Sequence, residues 1–125
     1  MPISRRESEF VSYLVDLLQT VGPVTAKRMF GGYGFFLEGL MFALLEDNTL
    51  YLEADDAIAD EFKQRNLEPF TYYKKGKPFS LSYYQAPEES LESMEEMAIW
   101  ANKSYGAALR AAAKKRKKRK GDSGE

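Results

Sequence analysis

A chain of 125 residues with 44% apolar and 30% charged residues has the size and balance of one globular domain with a real core. It contains neither cysteine nor histidine. That excludes a disulfide framework, zinc–thiolate ligation, a thiol nucleophile, and any Ser-His-Asp or Cys-His mechanism carried by this chain alone. The net charge of −1 hides an asymmetry: residues 114–120 are all Lys or Arg, and removing their seven positive charges leaves −8 on the rest. An acidic body with a basic arm points to an interaction role.

In chain order, Ser4-Arg5-Arg6-Glu7 has the form of a capping box. Phe10, Tyr13, Leu14, Leu17, Leu18 and Val21 then fall on one helical face, and Gly22-Pro23 stops the helix. A helix is expected over about 5–20. Residues 24–53 read as a meander of three strands, about 27–37, 40–46 and 49–53. Glu38-Gly39 and Asp47-Asn48 supply the tight turns, because Gly, Asn and Asp tolerate positive φ. Apolar residues on both faces of Met41-Phe42-Ala43-Leu44-Leu45 imply a sheet covered by helices on one side, with a second subunit as one way to cover the other. Asp55-Asp56 caps a short second helix ending near Asn66. A hairpin follows over about 70–74 and 78–84, turning at Lys75-Gly76. Pro87 opens a helical turn, and Ser93-Met94-Glu95-Glu96 is a second capping box. The last helix carries Met97, Ala101, Tyr105, Ala108 and Ala112 on one stripe beside Trp100, and runs into the basic segment. Residues 1–113 are expected to form the domain, 114–125 a flexible basic tail, and 121–125 to be disordered. The N-terminus has no apolar segment before a cleavage site, and no run reaches membrane-span length, so a cytoplasmic protein is expected.

Four features could carry chemistry. Gly31-Gly32-Tyr33-Gly34 lies between strand-like runs, lacks the spacing of a phosphate loop, and has no helix after it; a kinked or bulged strand is expected there, with a glycine that resists alanine. Glu46, Asp47, Glu53, Asp55 and Asp56 lack the spacing of a calcium loop, and turn and cap roles explain them, so no metal is expected. Tyr72, Tyr73, Tyr83 and Tyr84 stand beside Lys74, Lys75 and Lys77. Strand alternation lets at most half of these tyrosines share a face. Cross-strand pairing, base stacking and a protein-binding face are the three readings. The run Lys114, Lys115, Arg116, Lys117, Lys118, Arg119 and Lys120 is the strongest candidate. Dense positive charge binds nucleic acid or another polyanion through counterion release, without base readout; a solubilising tail is the alternative.

Arg28-Met29-Phe30-Gly31-Gly32-Tyr33-Gly34-Phe35-Phe36, followed in order by Met41-Phe42-Ala43-Leu44, Leu50-Tyr51-Leu52, Pro69-Phe70-Thr71-Tyr72 and Ser82-Tyr83-Tyr84, resembles the N-terminal domain of the TfoX family of bacterial competence regulators. The resemblance covers roughly residues 8–112. It implies an α+β two-layer sandwich of the secretion-chaperone type, with an antiparallel sheet and the order α-β(3)-α-β(2)-α. It also implies regulation of transcription without catalysis or cofactor, in concert with a protein partner such as the cyclic-AMP receptor protein. Arg28, Met29, Phe30, Gly31, Gly32, Tyr33 and Gly34 form the family motif, read as structural, and the family offers no catalytic residues to carry over. Where the long regulators continue into a second domain, this sequence carries the Lys/Arg run. The expected function is a regulatory module with a DNA-contacting tail, and a homodimer is expected. The alternative is a protein- or peptide-binding adaptor with no nucleic-acid role.

Overall fold

The computed structural model describes residues 5–29 and 31–123. The expected cap at Ser4 lies outside them, as does Phe30. Helix α1 spans Arg5–Leu18 and, of the stripe read from its periodicity, buries Leu14, Leu17 and Leu18; Phe10 and Val21 are partly buried and Tyr13 is exposed. The Gln19 amide then donates to the carbonyls of Val15 at 3.2 Å and Val24 at 3.0 Å, tying the helix end to the chain that enters the sheet.

Four strands follow, one more than the sequence suggested: β1 Thr25–Met29, β2 Gly32–Leu37, β3 Leu40–Glu46 and β4 Thr49–Glu53. The segment 27–37, expected as one kinked strand, instead reverses direction. Met29 pairs with Gly32, and Gly31 occupies the turn at φ 82°. A positive φ at a two-residue connection is what a tight hairpin needs, so the glycines serve a reversal where a bulge was expected. The order is therefore α-β(4)-α-β(2)-α within the same antiparallel α+β class. A bulge does occur, one strand further on. Phe35 pairs with Ala43 but Phe36 pairs with Met41, which leaves Phe42 as the extra residue on β3.

The three turns read from sequence form as expected. Glu38 and Gly39, Asp47 and Asn48, and Lys75 and Gly76 all have positive φ, the signature of two-residue hairpin turns. Short α2 (Ala59–Lys63) buries Phe62. Strands β5 (Pro69–Lys74) and β6 (Lys77–Gln85) complete a six-stranded antiparallel sheet in the order β1-β2-β3-β4-β6-β5. A single 3-10 turn at Glu88–Leu91 follows Pro87, and α3 runs from Met94 to Ser123. The Ser93 hydroxyl accepts from the Glu96 N–H at 3.2 Å, as its capping box requires.

Opposite residues in antiparallel strands share a face. Tyr33, Phe35, Leu45, Leu50, Leu52 and Tyr84 therefore point to one side, where α1 and α3 cover them. Phe42, fully buried, turns to the same side through its bulge and meets Tyr105 of α3 edge-on at 5.6 Å. Met97, Trp100, Ala101, Ala107 and Ala108 of α3 close the core. On the opposite face Leu44 and Tyr83 are buried, while Tyr72, Phe79 and Leu81 of the β5–β6 hairpin stay exposed. Apolar burial on one face and strand alternation along β2 to β4 are what hold this two-layer arrangement together.

Candidate nucleic-acid interface

Helix α3 has 30 residues, about 45 Å of length at 1.5 Å per residue. Its first half is anchored. Trp100 packs on Phe62 at 5.2 Å, under Arg65 at 5.2 Å and Lys103 at 5.4 Å. Lys103 pairs with Glu61, and the Tyr105 hydroxyl donates to the Leu37 carbonyl at 3.2 Å. Burial fades after Ala108, and residues 113–118 are all exposed. The basic run is thus the end of the longest helix, carried past the sheet with no break at the expected boundary of 113/114. Its backbone stays helical to residue 123. Each residue in a helix turns about 100° from the one before, so the five described charges, Lys114 to Lys118, are spread around the circumference.

The side of this helix nearest the body meets carboxylates. Arg110 holds Asp55 in a two-pronged pair, Nε to Oδ2 at 2.6 Å and Nη2 to Oδ1 at 3.1 Å. Asp55, Asp56 and Ser82 line a groove whose other wall is Arg110, Lys114 and Lys117. Asp55 also accepts from the Ala57 N–H at 3.2 Å, which closes a turn ahead of α2 and does not cap it: the helix starts later than the Asp55-Asp56 cap read from sequence, with Ile58 at its N-cap and no side-chain cap. The hydrogen bond from Arg110 holds the Asp55 carboxyl below the usual carboxylate range. Burial pushes Glu53 the other way, assisted by the Asp55 charge and opposed by the Tyr83 hydrogen bond and the charge of Lys115. The Tyr83 hydroxyl sits 3.3 Å from both Glu53 Oε1 and the Met41 carbonyl, and burial raises its pKa further. Lys114, Lys115 and Lys117 therefore lie near body carboxylates, while Arg116 and Lys118 are exposed. The side chains of Arg119 and Lys120 lie outside the described residues.

The Asp55–Arg110 pair gives a pH prediction. A carboxyl held low in the folded state contributes stability above its unfolded pKa and loses it as pH falls through the lowered folded value. The guanidinium is half exposed, so solvent screening limits the pair to about 0.5–1 kcal/mol. Arg110→Ala should lower unfolding stability by that amount at pH 7, and the difference should vanish at strongly acidic pH. Urea midpoints at both pH values check this; an equal loss at both would assign the effect to packing of the arginine stem.

Arg28 is exposed on β1, and Tyr33 is in the core. Gly32 passes beneath the Leu45 carbonyl, and Gly34 lies beneath the sulfurs of Met29 and Met41. Of the hairpin tyrosines, Tyr72 and Tyr83 face the open side of the sheet. Tyr84 stacks on Phe62 at 5.6 Å on the helix side, and Tyr73 is exposed. Half of them share a face, as strand alternation required. Sequence reasoning missed Arg110 as the partner of Asp55; 55 residues separate them, and no local signal joins them. Among the described residues no group of acidic side chains could hold a metal ion, and no helix is long and apolar enough to cross a membrane.

A two-layer α+β body that ends in a cationic helix defines the class: a small α+β domain with a charged arm. Residues 16–108 match the TfoX N-terminal domain, and the chain belongs to that family. It is 36% identical over 92 residues to the DNA transformation protein TfoX of Haemophilus influenzae, covering 73% of this chain and 42% of that protein. It is 27% identical over 95 residues to the protein Sxy of Escherichia coli, covering 76% of this chain and 46% of that protein. A third relative, the DNA transformation protein TfoX1 of Aliivibrio fischeri, is 29% identical over 86 residues, covering 69% and 39%. The chain spans less than half the length of these curated relatives.

Proposed function

We propose that this protein is a bacterial, cytoplasmic, non-enzymatic regulatory module of the competence type, whose body takes a protein partner while the end of α3 contacts duplex DNA. One observation carries the reading: seven consecutive cations stand on a helix that leaves an acidic body. Without that segment the body, at −8, repels a polyanion; with it, an attractive point is held at a fixed place. The family's DNA transformation proteins supply the process. Phosphate contacts carry no base information, so the helix end supplies attraction and the partner supplies the choice of site.

Anisotropy of a labelled duplex tests this with the full chain and a chain ending at Ala113. The full chain should bind weakly and without sequence preference. The shortened chain should lose binding and keep its thermal midpoint, because residues 114–118 are exposed and bury no core. Equal binding by both forms would refute the helix-end assignment. The uncovered aromatic face of the sheet favours a second reading, a protein-binding adaptor with no nucleic-acid role. Absence of DNA binding by either form at low salt would select it.

A further inference from the structure

The face of the sheet opposite the helices carries a row of rings. Tyr51 meets Phe70 at 5.1 Å, Phe70 meets Tyr72 at 6.3 Å, and Tyr72 meets Phe79 across the hairpin at 5.8 Å. Leu81 lies on the same side by alternation. Tyr72, Phe79 and Leu81 are 39%, 45% and 40% exposed. Phe70, Tyr72 and Leu81, together with Thr71 and Glu46, line a largely apolar groove beside Phe79. Exposed apolar surface of this extent on a small domain marks an interaction site.

The two ends of the row carry opposite charge. Lys74 pairs with Lys77 at the hairpin tip, two positions beyond Tyr72 and Phe79 and so on the same face. At the other end, Glu46, Asp47 and Glu68 lie close enough to Tyr51 to raise its pKa along with burial. Such a bipolar stripe is complementary to a reversed copy of itself. A two-fold axis in the plane of the face and perpendicular to the row lays the tip of each copy over the acidic end of the other. The other in-plane axis sets lysines on lysines and carboxylates on carboxylates, at a cost.

We propose that this face is the self-association surface of the protein: two copies dock open face to open face, rings against rings, with Lys74 and Lys77 of each over Glu46 and Glu68 of the other. The rings supply the buried apolar area, and the charges set register and exclude the parallel arrangement. The inference does not depend on the DNA reading, because the basic end of α3 takes no part in it.

Sedimentation equilibrium of the full chain over a concentration series tests it, with two charge variants, Lys74→Glu/Lys77→Glu and Glu46→Lys/Glu68→Lys. Wild type should dimerise. Each variant alone should dimerise roughly tenfold or more weakly, since it places like charges together at both ends. An equimolar mixture of the two should regain a dimer, because each reversed tip then meets a reversed acidic end. Phe79→Ser should weaken the dimer without changing charge. Far-ultraviolet circular dichroism establishes that each variant is folded before it is weighed. A wild type that stays monomeric at high micromolar concentration overturns the proposal. So does a dimer indifferent to all three variants, or a mixture that regains nothing.

Discussion

Replacing Phe42 by alanine should lower unfolding stability by about 3–5 kcal/mol. Phe42 has no exposed surface and is the extra residue of the β3 bulge. The bulge turns its ring toward α3, where Tyr105 meets it edge-on. Truncation would remove a large buried side chain, lose that ring contact, and leave a cavity beneath a helix fixed at both sides, by Trp100 and by the Tyr105 bond to Leu37. Urea unfolding followed by circular dichroism reads the loss as a lower midpoint with an unchanged slope. Tyr73→Ala, at a side chain 73% exposed, is the control and should change stability by less than about 0.5 kcal/mol. Equal losses at the two positions would mean that the core is not centred where β3 meets α3.

Gly32→Ala should destabilise the protein by about 3 kcal/mol or more, at or beyond the upper end of what overpacking a tight site costs. A Cβ on Gly32 would lie 2.1 Å from the Leu45 carbonyl oxygen. That oxygen belongs to a neighbouring strand, so relief requires the β2–β3 ladder to part rather than a side chain to rotate. Gly31 differs. Its φ of 82° disfavours a side chain, but a Cβ there meets nothing within 4 Å. Gly31→Ala should therefore cost only about 1 kcal/mol, from backbone strain alone. Two adjacent glycines thus serve different physical needs, positive φ at one and close approach at the other. A larger loss at Gly31 than at Gly32 would contradict this division.

Much of the fold is legible from local chemistry. Alternation, turn residues and capping boxes located both outer helices and three of the four hairpin turns, because those signals act within a few residues. The first hairpin escaped for an identifiable reason. In sequence Gly31-Gly32 reads as the interior of one strand, whereas a two-residue turn with positive φ needs the same residue type. The strand order beyond β4 left no local trace. Pairing of β4 with β6 is what brings Tyr51 beside Phe70 and joins two separate aromatic clusters into one row. Long-range chemistry was equally hidden: in sequence Asp55 reads only as a helix cap, a place the structure gives to Ile58, and its charge partner Arg110 lies 55 residues away. The basic run was plain in the sequence. Its arrangement as a helix laid partly along body carboxylates required the structure, and that arrangement changes how many of its charges a duplex can meet.

The salt dependence of duplex binding by the full chain tests the central claim most directly. If all seven cations reached phosphates, the slope of log affinity against log salt would be roughly −6. Spread around a helix, with Lys114, Lys115 and Lys117 near Asp55, Asp56 and Glu53, about half of them can face one duplex. A linear dependence with a slope of roughly −3 is expected, equal for unrelated duplex sequences. A slope near zero, or an affinity that changes strongly with sequence at constant salt, would contradict a helix end that binds DNA through its phosphates.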